Sequence, residues 1–379
     1  MSNLLKRLPW RGLGLSLLSL VITLAAGEAF VRVAGLDPAP REGRFSAKVH
    51  RAATGNFGKT MGIELRPGAI KQVTYPADRG AAERKVRYQI NSLGFRDFDR
   101  SAAKSPGEYR ILCLGDSFTF GTGLPLSDTW PRLLAGAVAS NQTGVTTVNL
   151  GVYSFNVLQQ EAWLRRVLTE HEFEADHVLW CFYINDVSGT GFADRDSNYT
   201  AEVRWIHRLG LTSGVWEKGT ELTQAQKRTM ALRRVSALAD CLAYRLYRGL
   251  HSEAIRRGYL ADWESAERLR ALRSSLESVA TLCSERGLRL SICMYPALTG
   301  SFDEHHPYDP AHRTLESLAS ECGLEYFDLR EPLRGLRPDE LWAHIHDHHP
   351  NRVANERVAL YLAQELFSGS QGAALAQSE

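Results

Sequence analysis

Three short stretches of this chain hold residue types that together can support nucleophilic acyl chemistry. The first is Gly115-Asp116-Ser117-Phe118-Thr119. A serine hydroxyl is a poor nucleophile until a neighbouring base takes its proton, and alone the triplet reads equally well as a turn with a helix cap. The second is Asn185-Asp186, where an asparagine amide can donate to a developing oxyanion or simply form a turn. The third is His346-Asp347-His348-His349-Pro350-Asn351. There His349 can act as base, and Asp347, two residues earlier, can hold its imidazole in the required tautomer. His344, His346, His348 and His349 also offer zinc ligand types, but no Cys-x-x-Cys or His-Glu-x-x-His spacing accompanies them, so neither a metal nor another cofactor is expected. His305 and His306, in a loop flanked by prolines, read as surface residues. A G-x-S-x-G elbow would need glycine where Thr119 stands, which argues against the α/β-hydrolase fold.

The elements that must position these residues follow from the apolar pattern. From Tyr109 onward short apolar strands (110–114, 145–150, 177–183, 288–295 and 325–329) alternate with helices, among them 130–139, 158–168 and 352–366. Continuous apolar strands separated by helices indicate a parallel sheet covered on both faces, and such sheets carry ligands at the carboxyl ends of their strands. Ser117 follows the first strand, Asn185 the third, and His349 lies on the last loop. An insertion over 187–263 is long for a connection and can form a lid or an acceptor-binding subdomain. Residues 37–108 read as a linker plus a β-hairpin built from 62–75 and 84–91, where Val86, Tyr88 and Ile90 alternate with polar neighbours. The globular domain spans 109–368, and 369–379 is a small, polar tail.

A net charge of +2 over 379 residues gives no electrostatic case for a nucleic-acid partner. The Arg-rich stretch 228–273 has helical spacing and reads as a solvated helix face. The six cysteines are spaced neither for a metal nor for a small disulfide scaffold, and small buried thiols are the default. At the N-terminus, Lys6, Arg7 and Arg11 precede an uncharged apolar stretch over 12–27; Glu28 interrupts it and Ala29-Phe30-Val31 resumes it. Residues 1–36 are therefore an anchor or a cleaved export signal. The basic flank keeps the N-terminus inside, and the remainder lies outside the cytoplasm. The anchor is the preferred reading.

Taken together in this order, the three stretches resemble blocks I, III and V of the SGNH/GDSL hydrolases, with Asn149-Leu-Gly-Val-Tyr-Ser154 matching block II. The resemblance covers about 109–366 apart from the insertion. It implies a flavodoxin-like three-layer α/β/α sandwich with a five-stranded parallel sheet and a triad of Ser117, His349 and Asp347. It also implies an oxyanion hole built from the Ser117 N–H, a block II N–H (Ser154 or Gly151) and the Asn185 side chain. Ser154 stands where the family has glycine, Tyr183 replaces the glycine that usually opens block III, and Asp-x-His replaces Asp-x-x-His.

An anchor followed by Ile90-Asn-Ser-Leu-Gly-Phe-Arg-Asp97 and then the Ser117 motif is similar to bacterial membrane-anchored SGNH proteins, some of which work beside membrane-bound O-acyltransferases. That implies a single-pass inner-membrane protein with a periplasmic domain, and a serine esterase acting on O-acetyl esters of a polysaccharide. Gly94, Phe95 and Arg96 are expected either to pack near the site or, equally, to form a structural turn. The alternatives are an O-acyltransferase acting on an exported glycan, a lipid-directed esterase, and a non-catalytic glycan-binding or assembly module.

Overall fold

A computed structural model of the chain describes residues 10–34, 54–56, 63–75, 82–139, 144–188, 224, 228, 231–232, 235–344 and 347–367. The chain divides into two units: Met1–Ala47 with Tyr199–Ile255, and Lys48–Asn198 with Arg256–Glu379. The helical start of the first unit, α1 (Trp10–Val33), does not break at Glu28. Its stretch Gly14–Val33, 20 residues of mean hydropathy 1.9, is long and apolar enough to cross a membrane by length and composition.

Chain order continues with β1 (Thr54–Asn56), β2 (Ile63–Leu65), β3 (Ile70–Tyr75) and β4 (Arg84–Gln89). The strand expected over 62–75 is in fact two. Pro67 has no N–H to give a ladder and Gly68 takes a left-handed φ of 71°, so the chain turns at Arg66–Ala69. β2 then pairs with β1, and β3 pairs antiparallel with β4 from Ile70 opposite Gln89 to Tyr75 opposite Arg84. Side chains alternate across a strand. Val73 and Tyr75 therefore share the buried face with Val86 and Tyr88.

The second unit is built on β5 (Tyr109–Gly115), α2 (Ser117–Phe120), α3 (Trp130–Ala139), β6 (Val145–Asn149), α4 (Val157–Thr169) and β7 (His177–Phe182). After the insertion come α5 (Ala237–Glu264), α6 (Ala266–Glu285), β8 (Arg289–Met294), α7 (Asp309–Glu321) and β9 (Glu325–Asp328). The chain closes with β10 (Trp342–His344), β11 (Asp347–Pro350) and α8 (Arg352–Phe367). Five strands form one parallel sheet in the order β6-β5-β7-β8-β9. Numbered along the chain this is the 2-1-3-4-5 order of flavodoxin-like folds. Helices α3 and α8 pack over Ile111, Cys113, Leu179, Cys181 and Cys293 on one face, and α4 and α6 pack together on the other. The result is the expected three-layer sandwich. Each fully buried Leu or Ile in β5 contributes about 1.5–3 kcal/mol, which is why these runs cannot serve as surface loops. All six cysteines are free thiols, five of them buried.

In the first unit the start of α5 is capped from α1. The Glu28 carboxylate accepts from Ser236 Oγ at 2.9 Å, the Ala237 N–H at 3.0 Å and the Leu238 N–H at 2.9 Å. The first N–H groups of a helix have no partner of their own, and a carboxylate there also suits the helix dipole. The insertion over 187–263 is described only in part, since 189–223 lie outside the described residues.

Candidate active site

β5 delivers Ser117 to the carboxyl edge of the sheet. Its last residue, Gly115, has no room for a side chain: a Cβ there would lie 2.6 Å from the Cys181 carbonyl of β7 and 2.3 Å from Thr119 Oγ1. The chain can thus pass its neighbour closely and turn at once into α2. Asp116 caps that helix, accepting from the Phe118 N–H at 2.8 Å, and Ser117 is its first residue.

β11 brings the histidine loop to the same place. His349 Nε2 lies 2.9 Å from Ser117 Oγ, and His349 Nδ1 lies 2.5 Å from Asp347 Oδ1. Residues two apart on a strand point the same way, so Asp-x-His puts both side chains toward Ser117. The Phe118 ring sits 5.1 Å from the imidazole and stacks on Tyr183 at 3.8 Å. Burial disfavours a charge on His349, but the facing Asp347 carboxylate, with Asp116 adding to it, prevails and raises its pKa above the ordinary 6.5. Burial likewise works against a charge on Asp347. The His349 charge and hydrogen bonds from His349 and Tyr75 overcome it and hold Asp347 at about 2.

The expected oxyanion donors differ in how their own groups are engaged. Gly151 donates its N–H to Asn149 Oδ1 at 3.0 Å, and a Cβ on it would lie 2.1 Å from the Phe120 nitrogen. Its N–H is committed, and its role is to let the chain after β6 pass against α2. Ser154 is exposed and holds φ 56°, the left-handed conformation a glycine would adopt without strain. Its N–H has no acceptor among the described residues. The Asn185 turn is fixed by Trp263 Nε1 donating to the Ile184 carbonyl at 2.7 Å and the Tyr183 N–H donating to Asp186 Oδ2 at 2.9 Å. The Asn185 Oδ1 is buried and has no hydrogen-bond partner among the described residues.

Residues of the hairpin reach the site, and sequence reasoning missed most of them. Tyr75 Oη donates to Asp347 Oδ2 at 3.0 Å. Arg84 bridges the Gly123 carbonyl, at 2.5 Å, and the Ala343 carbonyl, with its guanidinium 4.5 Å over the Tyr75 ring. Arg96, wholly buried, donates to the carbonyls of Phe120, Gly121 and Leu124, just past Ser117. Asp97 accepts the Asn149 N–H at 2.9 Å, while Asn149 Nδ2 donates to the Thr119 carbonyl at 2.9 Å. Of the trio placed near the site, Arg96 is there; Phe95 instead packs on Trp163 and Phe173, and Gly94 lies under Leu65 and Trp163. The signal was present in the alternation of β3 and β4: a tyrosine on a buried face needs a polar partner for its hydroxyl.

The other histidines separate. His344 is buried edge-on to Tyr75, His348 stacks on Trp342 at 3.9 Å, and His346 lies outside the described residues. His305 is exposed, but His306 is buried, with Nε2 2.9 Å from the Ala297 carbonyl; the expectation of a surface residue fails there because Phe302 and Tyr308 enclose the ring. Among the described residues, the side chains spaced to share a metal ion are Asp303, Glu304 and His305, none of which belongs to the Ser117 site.

Residues 113–357 match the GDSL-like lipase/acylhydrolase family. Three similar solved structures are a lipolytic protein of the G-D-S-L family, an acetylxylan esterase and a metagenome enzyme. The first, from Desulfitobacterium hafniense DCB-2, is 10% identical, covering 68% of this chain and 99% of that one, with a TM-score of 0.37. The acetylxylan esterase Axe2 from Geobacillus stearothermophilus is 14% identical over 69% and 95%, with a TM-score of 0.38. The α/β hydrolase enzyme LAE5, from the metagenome of Lake Arreo, Spain, is 12% identical over 71% and 100%, with a TM-score of 0.41. No curated protein matches the chain.

Proposed function

The chain belongs to the GDSL-like lipase/acylhydrolase family and is an ester-hydrolysing enzyme; from that premise we propose that Ser117, His349 and Asp347 are its catalytic triad and that it removes O-acetyl groups from a polysaccharide outside the cytoplasm. Ser117 Oγ attacks the ester carbonyl as His349 Nε2 takes its proton. Asp347 keeps the Nδ1–H side of the ring in place and stabilises the imidazolium that forms. The oxyanion is received by the N–H groups of Ser117 and Ser154 and by the Asn185 carboxamide. His349 returns the proton to the departing sugar oxygen, and water, activated in the same way, releases acetate from Ser117.

The observation that carries this reading is the unbroken line from Ser117 Oγ through His349 to Asp347, at 2.9 and 2.5 Å. The Tyr183 ring stacked on Phe118 beside Ser117 restricts the space for a long acyl chain, which favours acetyl. The polysaccharide rests on the resemblance to membrane-anchored SGNH proteins. The test is a fluorophosphonate probe together with acetate release from an acetylated oligosaccharide. Wild-type protein is labelled, and Ser117→Ala loses both labelling and about 10³-fold or more of the activity. Equal labelling of the variant would overturn the triad, and acetyl appearing on an acceptor sugar without free acetate would replace hydrolysis by transfer.

The site of action follows from α1. We place it as a retained anchor with Lys6, Arg7 and Arg11 on the cytoplasmic side. Intact mass of the membrane-extracted protein should include residues 1–36; a mass lacking them would sink the anchor.

A further inference from the structure

We propose that Tyr75, which lies outside the segment that matches the family, is a positioning residue of the active site: its phenol O–H fixes the Asp347 carboxylate so that the other oxygen faces His349 Nδ1. This rests on the triad reading above.

The direction of each hydrogen bond follows from what the groups can do. An ionised carboxylate only accepts, so Tyr75 donates to Asp347 Oδ2 at 3.0 Å. The Tyr75 oxygen can then only accept in its 3.4 Å contact with Tyr88 Oη, so Tyr88 supplies that proton. The Tyr88 oxygen in turn accepts the Gly123 N–H at 2.8 Å. A one-way chain of donors, Gly123 to Tyr88 to Tyr75, therefore ends on the triad acid, and such chains polarise one another in a dry setting. Tyr75 and Tyr88 are 0% and 1% exposed.

Among the described residues, the charged and titratable groups around this chain are Arg84 over the Tyr75 ring, His344 edge-on to it, Arg96 over the Tyr88 ring, Tyr153 edge-on to Tyr88, and Asp116 and His349 beyond Asp347. Burial, then the charge of Asp347, holds the Tyr75 phenol well above its ordinary 10, so it remains a neutral donor at any working pH. Arg84 keeps the hairpin in place by tying it to the backbone on both sides, at Gly123 and Ala343. The carboxylate thus has one oxygen for Tyr75 and one for His349, and cannot rotate between them.

The test is Tyr75→Phe in the full chain, which keeps the ring and removes only the donor. With p-nitrophenyl acetate, kcat should fall about tenfold, as expected for a hydrogen bond to a charged group, while KM stays within about twofold. Without the donor, more of the Asp347 charge falls on His349. The midpoint of the pH–rate profile should therefore rise, an effect that loosened packing would not give.

On an Asp347→Asn background the same change should add nothing, because its effect passes through that carboxylate. A kcat within twofold of wild type, a midpoint that falls, or losses that multiply across the two variants would each overturn the proposal. If Tyr75→Phe does not fold, Tyr88→Phe removes the next donor in the chain. It should raise the midpoint by less, and no rise would count against the proposal. Failure of the triad reading is separate: it appears as unchanged activity in Ser117→Ala, whatever Tyr75→Phe does.

Discussion

The two ends of the Ser117–His349–Asp347 line are held in opposite ways. Ser117, the proposed nucleophile, is placed by its own neighbours. β5 ends in a glycine that cannot take a side chain, Asp116 caps the helix that Ser117 begins, and the Phe118 N–H completes the turn. Asp347, the proposed acid, sits on a short two-stranded ribbon, β10–β11, and its second oxygen is held by a tyrosine 272 residues away. One end is positioned by a buried parallel sheet, and the other by a hairpin packed against it. The nucleophile end should therefore tolerate changes in the extension, and the acid end should not.

The largest effect that sharpens this contrast is expected at the acid itself. Asp347→Asn keeps the shape but lets the imidazole take the wrong tautomer, and kcat should fall about 10³–10⁴-fold. The pH dependence should move with it. His349 must be neutral to act as base, so in wild-type protein the rate rises with pH through a midpoint above 6.5, because Asp347 raises the imidazole pKa despite burial. With asparagine, only the weaker influence of Asp116 is left to oppose burial, and the midpoint should fall.

Stability follows the same pair. The raised His349 pKa contributes stability that is complete below about 6.5 and is lost as pH climbs through the folded value. Asp347, lowered to about 2, contributes stability present above its unfolded value near 3.8 and lost as pH falls toward 2. Both contributions should vanish in Asp347→Asn. A midpoint that stays above 6.5 in that variant would mean that Asp116, not Asp347, sets the basicity of His349.

The same contrast explains what could be read from the sequence. The sheet strands are short runs of four to seven residues, most of them buried, as a parallel sheet covered on both faces requires, so their limits were legible to within a residue or two. Ser117, Asn185 and His349 follow strand ends or precede the last helix, where such sheets bind ligands. Asp347 was legible for a local reason, as the nearest carboxylate.

Tyr75 was not legible, because nothing within its own strand reveals which carbonyl or carboxylate a buried hydroxyl will meet. The turn at Pro67-Gly68 could have been seen, since that pair is a strong breaker. Its omission produced one long strand where there are two. The partnership of Glu28 with the start of α5 is likewise non-local. In sequence Glu28 looks like a flaw in an apolar run; Arg32, four residues on, is a local partner, and only the folded chain supplies the three further donors at the start of α5.

Arg96 is the residue most able to break the comparison. It belongs to the extension, yet it grips the nucleophile side through the carbonyls of Phe120, Gly121 and Leu124. Arg96→Met would leave the Phe120 and Leu124 carbonyls without that donor in a dry place, while Gly121 keeps the Leu124 N–H. Each unmet acceptor costs about 1–3 kcal/mol, partly offset because a buried guanidinium no longer has to be desolvated. A net loss of about 2–4 kcal/mol should lower Tm by roughly 5–10 °C in a unit of this size.

If Ser117 is placed by Gly115 and Asp116, the folded variant should still be labelled by the fluorophosphonate at a rate within a fewfold of wild type. Its pH midpoint should not move, because Asp347 and Tyr75 are untouched. Loss of labelling at a temperature where circular dichroism still reports the native fold would show that α2 depends on the extension as much as Asp347 does. The two ends would then be a single device built across the hairpin.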